Sequence, residues 1–183
     1  LGTGNDTLTS GAGNDSITVA TASLTTDDTI NGGDGTDTIQ TSAEVDLADA
    51  DFTNITNVEE VTVVIATKAM TLIMGAQSSE AGVNTVTLGT GINAITVGSG
   101  HTAALTIAQT GAGTDTIDAS AFTGTLTVTT LDSAQVGDTI TGGTGTSDTL
   151  NLTLTNGHIG VTGDFDTITK FENLTTVGNV AAN

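Results

Sequence analysis

Glycine and aspartate recur at a fixed spacing near the start of the chain. Residues 1–9 read LGTGNDTLT and residues 10–18 read SGAGNDSIT, with glycine in the second and fourth places and aspartate in the sixth. Glycine lets the backbone turn sharply with positive φ and point main-chain carbonyls at one spot, and aspartate adds an anionic oxygen. A calcium ion binds about six to eight such hard oxygens. The spacing therefore predicts calcium-binding turns.

The same unit returns at residues 32–40, GGDGTDTIQ, and at residues 110–118, TGAGTDTID. An aliphatic residue follows the aspartate two places later in each copy, as Leu8 and Ile17 do in the first two. We expect these residues to point inward and to form a short strand before the next turn. Alternating turns and strands predict a chain that winds into a parallel solenoid.

This unit resembles the nonapeptide G-G-x-G-x-D-x-U-x of the RTX family of secreted bacterial proteins, in which U is a large aliphatic residue. The resemblance implies two nonapeptides per coil and Ca²⁺ between successive coils, held by turn carbonyls and paired aspartates. It extends to degenerate units at Asp28 and Asp138 and to one at Asp148, where an inserted residue shifts the aspartate by one place. The metal-ligating residues that it implies are Gly2, Gly4, Asp6, Gly11, Gly13, Asp15, Asp28, Gly33, Gly35, Asp37, Gly111, Gly113, Asp115, Asp138, Gly143, Gly145 and Asp148.

The spacing also predicts how the aspartates pair. If the extra residues between Asp15 and Asp28 bulge as a loop, Asp15 faces Asp37 on one side of successive coils and Asp6 faces Asp28 on the other. The chain is then one elongated solenoid over residues 1–183, with calcium-binding repeats in 1–40, a connector and metal-free coils in 41–109, and a second repeat copy in 110–183. The metal-free coils carry Asn84, Asn93 and Thr102 in place of carboxylates.

The apolar residues support an all-β class, a parallel β-solenoid of the β-roll or β-helix kind. They make up 36% of the chain and alternate with threonine, as in TLTVTT at residues 125–130, which is the period of a half-buried strand. The segment 43–51 is the only plausible helical turn. A longer unit is also repeated: residues 28–39 are echoed by 138–150, and 51–63 by 164–177. We expect Phe52 and Phe171 to plug the irregular coils of that unit.

The net charge of the chain argues against some classes of binding partner. A formal charge of −19, from 2 basic and 21 acidic residues, repels nucleic acid and anionic membranes and attracts divalent cations. No apolar run is long enough to span a bilayer, and cysteine is absent. The sequence therefore predicts an extracellular protein of the bacterial cell surface, without nucleic-acid partners or membrane insertion.

Catalytic and transition-metal sites are not indicated. Glu59 and Glu60 could pair as acid and base, but nothing near them in sequence supplies a nucleophile, and a solvated loop is expected. His101 and His158 lack partner histidines or cysteines and are expected at the surface. The chain is therefore not expected to be an enzyme.

Three functions remain open. The first is a surface-layer subunit that self-associates into a lattice, favoured by the Thr, Ala, Val and Gly bias and by scarce lysine. The second is the stalk of an RTX adhesin, which would require further long repeats. The third is the calcium-binding C-terminal module of a secreted protease or lipase, which would require a catalytic motif in a neighbouring domain.

Overall fold

The computed structural model describes residues 1–20, 23–42, 46–63, 70–111, 113–131, 137–153 and 167–177. Short strands dominate these residues, with one α-helix, α1 (Ala76–Ala81), and one 3-10 helix (Asp49–Phe52). The strands are β1 (Thr7–Ala12), β2 (Ser16–Val19), β3 (Thr29–Asp34), β4 (Thr38–Thr41), β5 (Ile55–Thr56), β6 (Glu60–Val63), β7 (Met70–Met74), β8 (Thr85–Leu88), β9 (Asn93–Val97), β10 (Leu105–Gln109), β11 (Thr116–Asp118), β12 (Leu126–Leu131), β13 (Thr139–Thr141), β14 (Thr149–Thr153), β15 (Ile168–Thr169) and β16 (Asn173–Val177).

The strands form three parallel sheets. Sheet A contains β1, β3 and β5; sheet B contains the even-numbered strands from β2 to β16; sheet C contains the odd-numbered strands from β7 to β15. Strands that are adjacent in a sheet come from successive coils, so the chain returns to sheet B once in every coil. The prediction of a parallel β-solenoid is confirmed.

The core is a stack of branched aliphatic side chains. In sheet B, Ile17 lies beside Ile39, Ile39 beside Val61, and Val61 beside Val86. These side chains are at most 4% exposed, whereas the threonines between them face outward or are only partly buried. β-branched residues suit this pleated surface, and the pairing of apolar side chains keeps their register fixed even where a coil is longer, as between Val61 and Val86.

The 3-10 helix overlaps the helical turn predicted for 43–51, of which residues 43–45 lie outside the described part of the chain, but further helical structure was not predicted. The segment 43–51 is not the only helical turn, because the described residues also include α1, which packs on the 3-10 helix and β5. The Asp49 carboxylate accepts backbone hydrogen bonds from Gly75, Gln77 and Ser78 at 2.7 to 3.1 Å, so it caps α1 from the preceding coil. The helix therefore depends on a contact that no local pattern reveals. No helix among the described residues is both long and apolar enough to cross a membrane.

The longer repeat has a common geometry at its end. Asn57 and Lys170 are the two non-glycine residues of the described chain with positive φ, at 54° and 61°. Each precedes an apolar residue and a glutamate, Val58-Glu59 in the first copy and 171–172 in the second. Phe52 is 1% exposed and fills its coil as expected. Phe171 corresponds to Val58 rather than to Phe52, and it is only partly buried against the core, whereas Val58 is fully buried.

Candidate metal centre

Carboxylates from successive coils stack at the turn before sheet B. The backbone N–H of Asp15 donates to Asp37 Oδ1 at 2.8 Å, and that of Asp37 donates to Glu59 Oε2 at 2.9 Å. We call Asp15, Asp37 and Glu59 the carboxylate ladder. A second pair lies before sheet A, where the backbone N–H of Asp6 donates to Asp28 Oδ1 at 2.8 Å. Both pairings follow the register that the repeat spacing predicts.

The second oxygen of three aspartates has no protein partner. Asp6 Oδ2, Asp15 Oδ2 and Asp37 Oδ2 are buried and accept no hydrogen bond. Removing an anionic oxygen from water without a partner costs several kcal/mol unless a cation or donor compensates it. These oxygens therefore fit a bound cation, and hard carboxylate oxygens suit calcium.

The adjoining turns have the backbone conformation that such a site needs. Left-handed φ values of 106° to 137° occur at Gly4, Gly11, Gly13, Gly33 and Gly35, although not at Gly2. In the described part of the chain, no three acidic, His or Cys side chains come together as a metal site. The remaining oxygens of a calcium site would therefore have to be backbone carbonyls, which glycine turns expose.

The comparison with protein families agrees with this location. The family model described as RTX calcium-binding nonapeptide repeat (4 copies) matches residues 2–19 and 24–48. These segments are RTX repeats. No curated protein and no solved structure matches the chain. RTX repeats bind calcium, and proteins that contain them are typically secreted.

Glu59 is part of the carboxylate ladder and not of a solvated loop, and it lies beyond the residues that the family model matches. Its carboxylate occupies the place that Asp37 occupies one coil earlier, and Glu60 begins β6. In the second copy, Asp148 donates its backbone N–H to Glu172 Oε2 at 2.8 Å, which repeats the Asp37–Glu59 contact. Sequence analysis missed this role of glutamate, although the echo between residues 51–63 and 164–177 contained the signal.

The predicted ligands of the second copy lie in different surroundings from those of the RTX repeats. Asp115, Asp138 and Asp148 are at most 1% exposed, as are Asp28 and Asp37, so the difference lies in their hydrogen bonds and not in their burial. Gly143 donates its backbone N–H to Asp148 Oδ2 at 2.7 Å, and Leu126 donates to Asp148 Oδ1 at 2.9 Å. Both carboxylate oxygens of Asp148 are thus occupied by protein donors.

The glycines of the second copy also differ. The expected positive φ is absent at Gly111, Gly113, Gly143 and Gly145. At Gly113, a Cβ would lie 1.9 Å from the carbonyl oxygen of Gly91 in the preceding coil. Glycine is needed there because the coils approach closely, and not because the backbone turns left-handed.

The coils predicted to be metal-free contain neutral polar contacts, both within a coil and between coils. Asn84 follows Glu59 in the stack and accepts the Thr85 hydroxyl at 2.9 Å. Thr102 and Ser79 share a hydroxyl contact at 3.2 Å. The coil that carries Asn84 is not made of strands and turns alone, because residues 79–81 belong to α1.

His101 is buried and not at the surface, while His158 lies outside the described residues. The ring of His101 lies 5.8 Å from that of Phe122, and His101 Nδ1 lies 3.3 Å from Ser78 Oγ. Burial lowers the pKa of His101 below its ordinary value. Ser78 and His101 are fully buried, and Ser78 Oγ also bonds to the Gly75 backbone, so this Ser–His pair offers a substrate no access.

Proposed function

We propose that the chain is a structural module of a secreted, calcium-dependent bacterial cell-surface protein, and that the protein is a surface-layer subunit that assembles into a lattice. The observation that carries the calcium dependence is the set of buried, unpartnered oxygens on Asp6, Asp15 and Asp37. A chain with charge −19 repels itself, so ions that close these turns would stabilise the coils against that repulsion.

The shape of the module supports a structural role. RTX solenoids are structural, non-catalytic folds. The aliphatic stack runs through the described coils, and two clefts beside it have volumes of about 230 Å³ and 290 Å³, below the usual size of a small-molecule site (about 300–1,000 Å³). A long parallel stack transmits load and spaces other parts of a protein without needing a substrate site.

The last described strand supports self-association. All residues of β16 are exposed, including Leu174 at 54% and Val177 at 63%. Among the described residues, β16 pairs on one side only, with β14. A further strand can pair with this edge, whether it comes from the continuing chain or from another subunit, and the exposed apolar side chains would favour that pairing. Calcium between acidic surfaces would offset their repulsion.

Electron microscopy and light scattering of the intact protein test this proposal. We expect ordered sheets at millimolar calcium, within the range of extracellular modules (about 10⁻⁴ to 10⁻³ M), and their loss on chelation. Isolated fibres would instead favour the stalk of an adhesin. A monomer at every calcium concentration would contradict the lattice and would favour the tail of a secreted protease or lipase.

A further inference from the structure

The side chain of Gln109 lies between two buried aspartates of successive coils. Its Nε2 is 3.0 Å from Asp115 Oδ2 and 2.8 Å from Asp138 Oδ2. The three side chains are at most 3% exposed. A glutamine amide nitrogen carries two protons, so it can donate one hydrogen bond to each carboxylate. With the amide reversed, its oxygen would face two anionic oxygens, so the orientation is fixed by charge.

The other carboxylate oxygens of Asp115 and Asp138 also accept hydrogen bonds. The backbone N–H of Asp115 donates to Asp138 Oδ1 at 2.7 Å, and Asn93 donates both its backbone N–H and its Nδ2 to Asp115 Oδ1 at 2.9 Å. In the RTX repeats, by contrast, one oxygen of Asp15 and one of Asp37 are left without a partner. The Asp15–Asp37 and Asp115–Asp138 pairs therefore differ in whether protein donors occupy all of their carboxylate oxygens.

Gln109 is an unusual residue for its position. It ends β10 beside Leu88 of β8, which is a fully buried core residue in the neighbouring coil. A polar side chain at a core position lowers stability unless its hydrogen bonds are made. The hydrogen bonds to Asp115 and Asp138 supply that compensation for Nε2, whereas Gln109 Oε1 is buried without a hydrogen-bond partner. These hydrogen bonds also hold together the two coils that carry these aspartates.

We infer that Gln109 is a built-in substitute for a cation between Asp115 and Asp138, so that this part of the solenoid is closed without calcium. The amide nitrogen supplies the positive partial charge that an ion supplies in the RTX repeats. Calcium would then act on the first copy, and the second would be a permanently closed stack. This inference deepens the proposed function and rests on its assignment of calcium to the first copy.

The same geometry predicts that a single substitution opens a calcium site. Gln109→Glu replaces the donor by a carboxylate of nearly equal size, so that three buried carboxylates converge. Asn93 Oδ1 lies buried beside them without a hydrogen-bond partner and is a further hard oxygen. We expect this variant to unfold at lower urea concentration than the wild type in chelator. In millimolar calcium we expect it to recover and to bind an additional ion per chain.

Calorimetric titration of the 183-residue chain with calcium chloride, with circular dichroism to verify folding, tests the inference. Asp115→Asn should leave the number of bound ions unchanged, whereas Asp15→Asn should lower it. Gln77→Glu, which makes the same charge change on α1, should add no ion. If Asp115→Asn lowers the number as Asp15→Asn does, Asp115 is a native ligand and the inference is overturned.

A folded Gln109→Glu variant that gains no ion would also overturn it. If that variant does not fold in either condition, the Asp115→Asn measurement decides alone. If the wild type and Asp15→Asn bind no calcium, the proposed function fails, whereas a gain of binding by Gln109→Glu would still support the substitution of Gln109 for a cation. The two failures are therefore distinguishable.

Discussion

A substitution at Gly33 tests how closely the RTX coils stack. Gly33 has φ of 106°, and a Cβ built on it would lie 1.8 Å from the carbonyl oxygen of Gly11 in the preceding coil. Gly11 has φ of 115°, but a Cβ built on it would meet nothing within 4 Å. The two glycines are register partners in β1 and β3, so they form a matched pair.

The two alanine substitutions should differ by the cost of pushing the coils apart. In Gly11→Ala, only the left-handed backbone is penalised, by about 1–2 kcal/mol. In Gly33→Ala, the same penalty applies and the Cβ must also move well away from the Gly11 oxygen. That movement strains the packing by about 1–3 kcal/mol and weakens β1–β3 hydrogen bonds worth about 1 kcal/mol each. We therefore expect Gly33→Ala to cost roughly 2–4 kcal/mol more than Gly11→Ala.

Urea unfolding in saturating calcium measures this difference. With a slope of about 2 kcal/mol/M, the midpoint of Gly33→Ala should lie about 1–2 M below that of Gly11→Ala. Unchanged slopes would show that both variants lose stability and not compactness. Equal midpoints for the two variants would refute the close approach of the coils at this turn.

Two further predictions concern the ladder and the buried histidine. The double substitution of Asp15 and Asp37 by Asn should lower the number of calcium ions measured by calorimetry, whereas Asn93→Ala should leave it unchanged; equal losses would contradict the assignment of calcium to the RTX repeats. His101→Leu should reduce the pH dependence of stability. Because burial lowers the pKa of His101 in the folded chain, the unfolded chain takes up the proton first, and wild-type stability should fall as pH drops below about 6.5. Denaturation midpoints at pH 7.5 and 5.5 test this, and parallel shifts in both proteins would argue against it.

The sequence predicted those parts of the fold that depend on local repetition. The spacing of Asp15 and Asp37 determines both the turn and the register, so the parallel stack and the pairing of aspartates followed from counting residues. The alternation of threonine with Ile17, Ile39 and similar residues likewise fixed which side chains form the core.

What could not be predicted depends on contacts between coils. α1 requires the carboxylate of Asp49, which lies a full coil earlier in the sequence. Glu59 follows Asp37 at the same spacing of 22 residues that separates Asp15 from Asp37, but it is a glutamate without the glycine turn, so the nonapeptide pattern does not mark it. No pattern in the sequence distinguishes Gln109 from other polar residues, and only the fold shows that it lies between Asp115 and Asp138. In each case the side chain is common and its neighbour is distant.

A left-handed residue, an apolar residue and a glutamate occur in this order twice, and the two occurrences bound a segment that could be repeated. Glu59 and Glu172 accept equivalent hydrogen bonds, and the strands that follow them, β6 and β16, both continue sheet B. Deleting residues 60–172 would join the residues before β6 to the residues after Glu172, and the register of sheet B would be preserved. Inserting a second copy of residues 60–172 would preserve it as well. Five strand spacings of sheet B separate β6 from β16, which at about 4.8 Å per strand is roughly 24 Å. Gain or loss of this segment by recombination in the gene would therefore lengthen or shorten the solenoid by about that distance. The sequence at the point of joining would not need to change.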